Sequence, residues 1–168
     1  MTDFGTMRVD GGGATVRFER WYPASPDQTW AALTDSERMG RWLGAEVTID
    51  ARTGGAVLLR WGSGDEMHGV ITACEAGRLL QYTWHEAALG VESVVRFELL
   101  PERSGTLLVL EHSRVPPDQA AGFGAGWHGH LDALAAELAG RAIDPHERFR
   151  ELGPEYASRM GVGEGGRG

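Results

Sequence analysis

Between Glu46 and Ser113 the sequence delivers one signal repeatedly: a short alternating apolar segment, then a glycine-bearing break. The segments are Glu46–Asp50, Ala56–Trp61, Met67–Glu75, Arg78–His85, Val91–Leu100 and Thr106–Ser113. The breaks are Gly54-Gly55, Gly62-Ser63-Gly64, Ala76-Gly77, Leu89-Gly90 and Pro101 to Gly105. Such segments read as strands and such breaks as hairpin turns. Parallel neighbours would need a crossover of about a dozen residues, so connections this short impose an antiparallel meander.

Alternation assigns the faces. Val57, Leu59 and Trp61 share one face, as do Ile71 and Ala73, then Leu80, Tyr82 and Trp84, then Val95, Phe97 and Leu99. On the last strand either Leu108, Leu110 and His112 or Leu107, Val109 and Glu111 point inward.

An earlier strand, Thr15 to Tyr22, alternates Val16, Phe18, Arg20 and Tyr22 against Arg17, Glu19 and Trp21, and is expected to join the sheet's edge. Pro23 ends it. Ser25-Pro26-Asp27-Gln28 has the form of a capping box with proline at the first helical position. Thr34 to Glu37 suggests a second capped helix, running to Trp42 and stopping near Gly44. After Pro116-Pro117-Asp118, residues Trp127, Leu131, Leu134 and Leu138 fall at i, i+4, i+7 and i+11, the stripe of a helix ending near Gly140. Pro145 to Met160 is a further amphipathic piece, interrupted in pattern by Gly153-Pro154. The sheet's apolar face needs a cover, and the long helix before Gly140 is the element able to supply it. The expected fold is α+β, a helix-grip arrangement: a curved antiparallel β-sheet wrapped around a long C-terminal helix, with two short helices after the first strand. Residues 1–13 are expected to be a flexible leader, 14–142 the domain, and 143–168 a helical extension with a glycine-rich tail.

This order of elements, with its landmarks, resembles the START-like (SRPBCC) superfamily. Within it the chain is similar to the branch of the C-terminal domain of the activator of the heat-shock-protein-90 ATPase. The residues that carry the resemblance are Pro26 to Asp35 (PDQTWAALTD), Arg41-Trp42, Gly54-Gly55, and Gly69-Val70 leading to Leu80 and Trp84. Gly105-Thr106 leading to Glu111-His112-Ser113, and Gly126-Trp127 with Leu131 and Leu134, complete it. The match spans about residues 14 to 140. It implies a cavity between sheet and helix, favours Leu108, Leu110 and His112 as the inward set, and implies no single activity, because members include lipid carriers, hormone receptors, polyketide cyclases and the co-chaperone domain.

Charge and composition exclude several classes. A formal net charge of −8 opposes phosphate-driven nucleic-acid binding and docking on an anionic membrane. No run of about 18 apolar residues is present to span a bilayer. The chain contains no lysine, which excludes Schiff-base catalysis. A lone cysteine, Cys74, and an N-terminus without signal-peptide character point to the cytoplasm. No nucleophile elbow or phosphate-binding loop occurs, and no cofactor or metal is expected.

The candidate pocket consists of Trp61, Tyr82, Trp84, Phe97, Leu110, His112, Trp127 and Leu131. Apolar, aromatic walls with few polar groups are how small-molecule sites are composed, although the same residues could fill a solid core. Gly122, Gly124, Gly126 and Gly129 either leave room beside the helix or belong to a loop before it. His112 would anchor a ligand, or act as acid or base, or simply be satisfied by a backbone carbonyl. His68 and His85 are expected opposite one another on a solvent-exposed face, and Asp65-Glu66 reads as a solvated pair in a turn. The expected function is non-catalytic binding of a small hydrophobic or aromatic molecule. The alternatives are a cyclase- or aromatase-like enzyme using His112 and Tyr82, and a co-chaperone-like domain with a protein partner, either as a monomer or as a homodimer.

Overall fold

Antiparallel pairing runs through the whole meander, as its short turns require. A computed structural model of the chain describes residues 3–87, 90 and 92–161. The strands are β1 (Thr6–Asp10), β2 (Gly13–Tyr22), β3 (Glu46–Ile49), β4 (Ala56–Arg60), β5 (Glu66–Glu75), β6 (Leu79–His85), β7 (Glu92–Glu102) and β8 (Gly105–Val115). They form one eight-stranded sheet in the order β1-β2-β8-β7-β6-β5-β4-β3. Val91, expected to open a strand, and Leu89, expected in a turn, lie outside the described residues, as do residues 162–168 of the expected tail. Four helices, α1 (Pro26–Thr34), α2 (Ser36–Leu43), α3 (Ala120–Leu138) and α4 (Pro145–Met160), complete the fold. The α+β helix-grip architecture is the one expected, with α3 as the gripped helix.

Two local departures have physical causes. The β5–β6 turn has three residues rather than two, since Glu75 pairs with Leu79. A bulge between Ile71 and Ala73 then restores the register, so that His68 does face His85. An extra residue exchanges the two faces beyond it. Cys74, paired with Leu80, therefore packs on the core in place of Ala73. The second helix is capped by Asp35 and not by Thr34. Asp35 accepts from Arg38 N at 3.0 Å, whereas the Thr34 hydroxyl is already donated to Trp30 O at 2.8 Å within α1.

The expected leader contains β1, which pairs with β2 from Thr6↔Arg17 to Asp10↔Gly13. Its entry is fixed by polar contacts, because Gly5 N donates to Tyr156 Oη at 2.9 Å and Arg20 donates to Asp3 O. Arg20 is the charged residue on the inner face of β2. It pairs with Asp132 of α3 at 2.9 Å, and Asp132 also receives Arg148 of α4 at 2.9 Å. One carboxylate thus ties three elements together, and the buried charge of Arg20 is matched as burial requires.

The glycines of α3 lie within the helix, which already begins at Ala120. A Cβ at Gly124 would lie 2.6 Å from the Tyr156 ring, and one at Gly129 would lie 2.8 Å from Pro145 O. These glycines admit α4 at close range, and the room they leave is taken by α4. Pro154 does not interrupt α4, which runs on to Met160. At Gly122 an added Cβ meets nothing within 4 Å. Gly122→Ala is therefore expected to stabilise the fold by about 0.5–1 kcal/mol through helix propensity. Gly129→Ala is expected to destabilise it by about 1–3 kcal/mol, because the methyl group meets backbone. Urea denaturation of the two variants measures both signs.

Candidate functional site

The end of the grip nearest the β4–β5 turn is open. There the turn after β4, the exit of β6, the first half of α3 and the start of α4 surround a cleft of about 890 Å³. This lies within the usual range for small-molecule sites, roughly 300–1,000 Å³. Trp61, Trp84, Phe123 and Trp127 form a continuous aromatic wall, with Trp84 and Trp127 at 5.6 Å between ring centroids, Trp61 and Trp84 at 6.3 Å, and Trp84 and Phe123 at 6.4 Å. The opposite side is Pro145, His146 and Phe149 of α4, and the Phe149 ring is 42% exposed. Exposed Gly62, Ser63 and Asp65 lie at the mouth. The expected internal cavity is thus a cleft open to solvent, and α4, read from sequence as an extension, forms one of its sides.

Three of the eight candidate residues, Trp61, Trp84 and Trp127, line this cleft. Tyr82, Phe97, Leu110, His112 and Leu131 do not; they lie in the buried core. Phe97 meets Trp127 edge-on at 5.8 Å, and Tyr82 lies beside Phe97 at 6.2 Å, so these rings support the wall.

His112 is fully enclosed and fully bonded. Trp127 Nε1–H donates to its Nδ1 at 2.9 Å, which places the ring proton on Nε2 by network logic, 2.7 Å from Ser93 Oγ. Ser93 Oγ in turn donates to Trp84 O at 3.2 Å. The chain Trp127–His112–Ser93–Trp84 therefore fixes two walls of the cleft from behind. Burial pushes the His112 pKa down to about 3, and a proton at Nδ1 would also oppose the Trp127 N–H. The ring is satisfied by two side chains and not by a backbone carbonyl.

Polar groups on the cleft come from residues outside the candidate pocket set. His130 accompanies Trp127 and donates from Nδ1 to Trp42 O at 3.2 Å. Part of its ring reaches the cleft, yet burial pushes its pKa down to about 4. His146 Nε2 donates to Gly44 O at 2.9 Å. Glu86, just after β6, has its carboxyl pKa raised by burial, with the Trp84 N–H opposing and Asp65 adding to the rise. That N–H is close enough to act on Glu86 but makes no bond of hydrogen-bonding geometry. Asp65 and Glu66, expected as solvated turn residues, both reach the lining. A signal for the α3 contribution was present in the sequence: Gly122, Phe123, Gly126, Trp127 and His130 fall at i, i+1, i+4, i+5 and i+8, one face of a helix begun at Ala120. His68 and His85 lie across the sheet from one another, each exposed, and among the described residues no three potential metal ligands gather. Nor is any described helix long and apolar enough to cross a membrane.

The family model for activator of Hsp90 ATPase homolog 1-like proteins matches residues 23–139. Among solved structures, CalU16 from Micromonospora echinospora is 29% identical, with 93% of this chain and 95% of that chain covered and a TM-score of 0.73. The BPP1335 protein from Bordetella parapertussis is 27% identical over 97% of both chains, with a TM-score of 0.71. DynU16, described as a protein of the dynemicin biosynthetic locus, is 26% identical over 76% of this chain and 48% of its own, with a TM-score of 0.69. No curated protein matches. Fold, landmarks and family match agree, and the chain belongs to the activator of Hsp90 ATPase homolog 1-like family of the START-like (SRPBCC) superfamily.

Proposed function

We propose that the protein binds a small apolar or aromatic molecule in the cleft between the sheet and helices α3 and α4, without transforming it. The observation that carries this reading is the aromatic wall of Trp61, Trp84, Phe123 and Trp127 lining an open volume of about 890 Å³. Trp61 and Phe123, the rings of the wall that keep exposed surface, gain when a flat apolar partner covers them, and Trp84 and Trp127 hold them from behind. The description of DynU16 as belonging to a biosynthetic locus accords with a small-molecule ligand.

The cyclase-like alternative has less support. Its acid–base pair, His112 and Tyr82, stands outside the lining, with His112 committed to Ser93 and Trp127 and the Tyr82 hydroxyl raised by burial. The protein-interaction alternative has one observation in its favour, the outer-face row Trp21–Leu107–Leu100 across β2, β8 and β7. Part of that row is already engaged, since Trp21 Nε1 donates to Glu102 O at 2.7 Å.

A thermal-shift screen against several hundred apolar and aromatic compounds tests the proposal. A true ligand at a hundredfold excess over its Kd should stabilise the protein by about 2.7 kcal/mol. Trp61→Ala, which removes a partly exposed ring from the mouth, should keep the fold and lose most of that shift. Silence across the library, or shifts unaffected by Trp61→Ala, would sink the reading.

A further inference from the structure

We infer that the ligand of this cleft is a cationic aromatic, a flat apolar body carrying a protonated amine; the inference rests on the small-molecule reading above. Among the described residues, the lining side chains of Asp, Glu, Arg or Lys type are all acidic: Asp65, Glu66, Glu86 and Asp118. No described arginine lines the cleft, although all sixteen Lys and Arg positions of the chain are arginine. Of the four carboxylates, Glu66 is paired with Arg60 at 2.8 Å. Asp65, Glu86 and Asp118 belong to no ion pair among the described residues.

These three come from three different elements: the β4–β5 turn, the exit of β6 and the 3-10 turn Pro117–Gln119. Their convergence on one cleft is therefore a product of tertiary structure and not of a local acidic run. Glu86 is half-buried, and its raised pKa reflects an anion withdrawn from water beside another anion without a counter-charge. Behind it Trp84 is 4% exposed, and its buried indole N–H acts on Glu86 without a bond of hydrogen-bonding geometry.

The rings act in the same direction as the carboxylates. Indole and phenyl faces carry negative electrostatic potential, and an ammonium within about 6 Å of them is attracted more strongly as water is excluded. Trp61, Trp84, Phe123 and Trp127 thus favour an amine-bearing aromatic over its neutral analogue, and the carboxylates repel an anionic one. Low-dielectric walls lined by one sign of charge also concentrate ligands of the opposite sign at the mouth.

A matched series on one ring system tests this: 1-naphthylmethylammonium, neutral 1-naphthalenemethanol and anionic 1-naphthoate, titrated calorimetrically into the full chain at pH 7. The amine is expected to bind roughly tenfold more tightly than the alcohol, with the naphthoate weakest. Glu86→Gln and Asp118→Asn should each cut the amine's advantage several-fold while leaving the alcohol's affinity unchanged. About 0.5 M salt should reduce the part due to exposed Asp118 more than the part due to Glu86. Equal affinities for amine and alcohol, or an advantage untouched by both substitutions, would overturn the inference and leave the small-molecule reading intact. If none of the three binds, the library screen separates the two claims: neutral or anionic hits overturn the inference alone, whereas a silent library overturns both.

Discussion

Trp127→Ala is expected to remove roughly 4–8 kcal/mol of stability, most of what a domain of this size possesses. The indole is 2% exposed and stands at the junction of two systems. It packs edge-on against Phe97 at 5.8 Å, Trp84 at 5.6 Å and His130 at 5.7 Å. Truncating a buried aromatic to alanine costs about 3–5 kcal/mol through lost transfer energy and the cavity left behind. The same change leaves His112 Nδ1 enclosed without its donor, a further penalty of about 1–3 kcal/mol. Trp127→Phe separates the two contributions, because it keeps most of the ring and removes only the N–H. Urea denaturation should place Trp127→Phe about 1–3 kcal/mol below the parent and Trp127→Ala far below both. If Trp127→Phe is as stable as the parent, the Trp127–His112 bond contributes nothing and the hydrogen-bonded chain behind the wall is not there.

The second large effect concerns acid. Burial holds His112 at about 3, and His128 and His130 at about 4, while the unfolded chain protonates histidine near 6.5. For His128 the Arg20 guanidinium adds to the depression, and Asp132 opposes it. Between pH 6.5 and 4 the unfolded state therefore binds more protons than the folded one. Stability is at its full value above pH 6.5 and is lost as pH falls towards the folded pKa values. Each ring withdraws roughly 1.4 kcal/mol per pH unit across that window, so the three together approach about 4 kcal/mol per unit. Carboxylates held low by arginine, such as Glu66 and Glu137, push the same way but act only below their own ordinary range. The interval from pH 6.5 to 5 thus reports mainly the histidines, with the raised Glu86 carboxyl acting in the opposite direction. Unfolding free energies that stay flat across it would contradict the burial of these rings.

Much of the fold could be read in the sequence because its determinants are local. Glycine breaks fixed the meander, Ser25 and Gln28 formed the expected capping box, and Gly44 took the left-handed conformation that ends α2. The inward set of the last strand, Leu108, Leu110 and His112, is the one the resemblance favoured. What was not legible depends on contacts distant in sequence. β1 has little apolar character of its own and is held by pairing with β2 and by Tyr156, 151 residues away from Gly5. The Thr72 bulge leaves no mark in the alternation until Cys74 and Leu80 are seen paired. The glycines of α3 look unfavourable for a helix until α4 is packed against them.

The site divided along the same line. Alternation correctly sorted Tyr82, Trp84 and Phe97 to the inner face, and the resemblance added His112, but an inner face has both a packed middle and an open end. Only the tertiary arrangement of the β4–β5 turn, α3 and α4 decides which rings meet the cleft. Trp61, Trp84 and Trp127 are at the open end; Tyr82, Phe97 and His112 are in the middle. Phe149 and His146 were unreachable from sequence because their helix reads as an ordinary amphipathic extension.

The six tryptophans make occupancy of the cleft directly measurable. Trp61, Trp84 and Trp127 line the cleft, whereas Trp21, Trp30 and Trp42 do not. Each indole N–H gives its own signal in a nitrogen–proton correlation spectrum, assignable by single Trp→Phe substitutions. On addition of 1-naphthylmethylammonium, the signals of Trp61, Trp84 and Trp127 are expected to move together along one binding curve while the other three stay in place. Movement of Trp21, Trp30 or Trp42 with the cleft tryptophans unmoved would place the ligand elsewhere and rule out the cleft as its site.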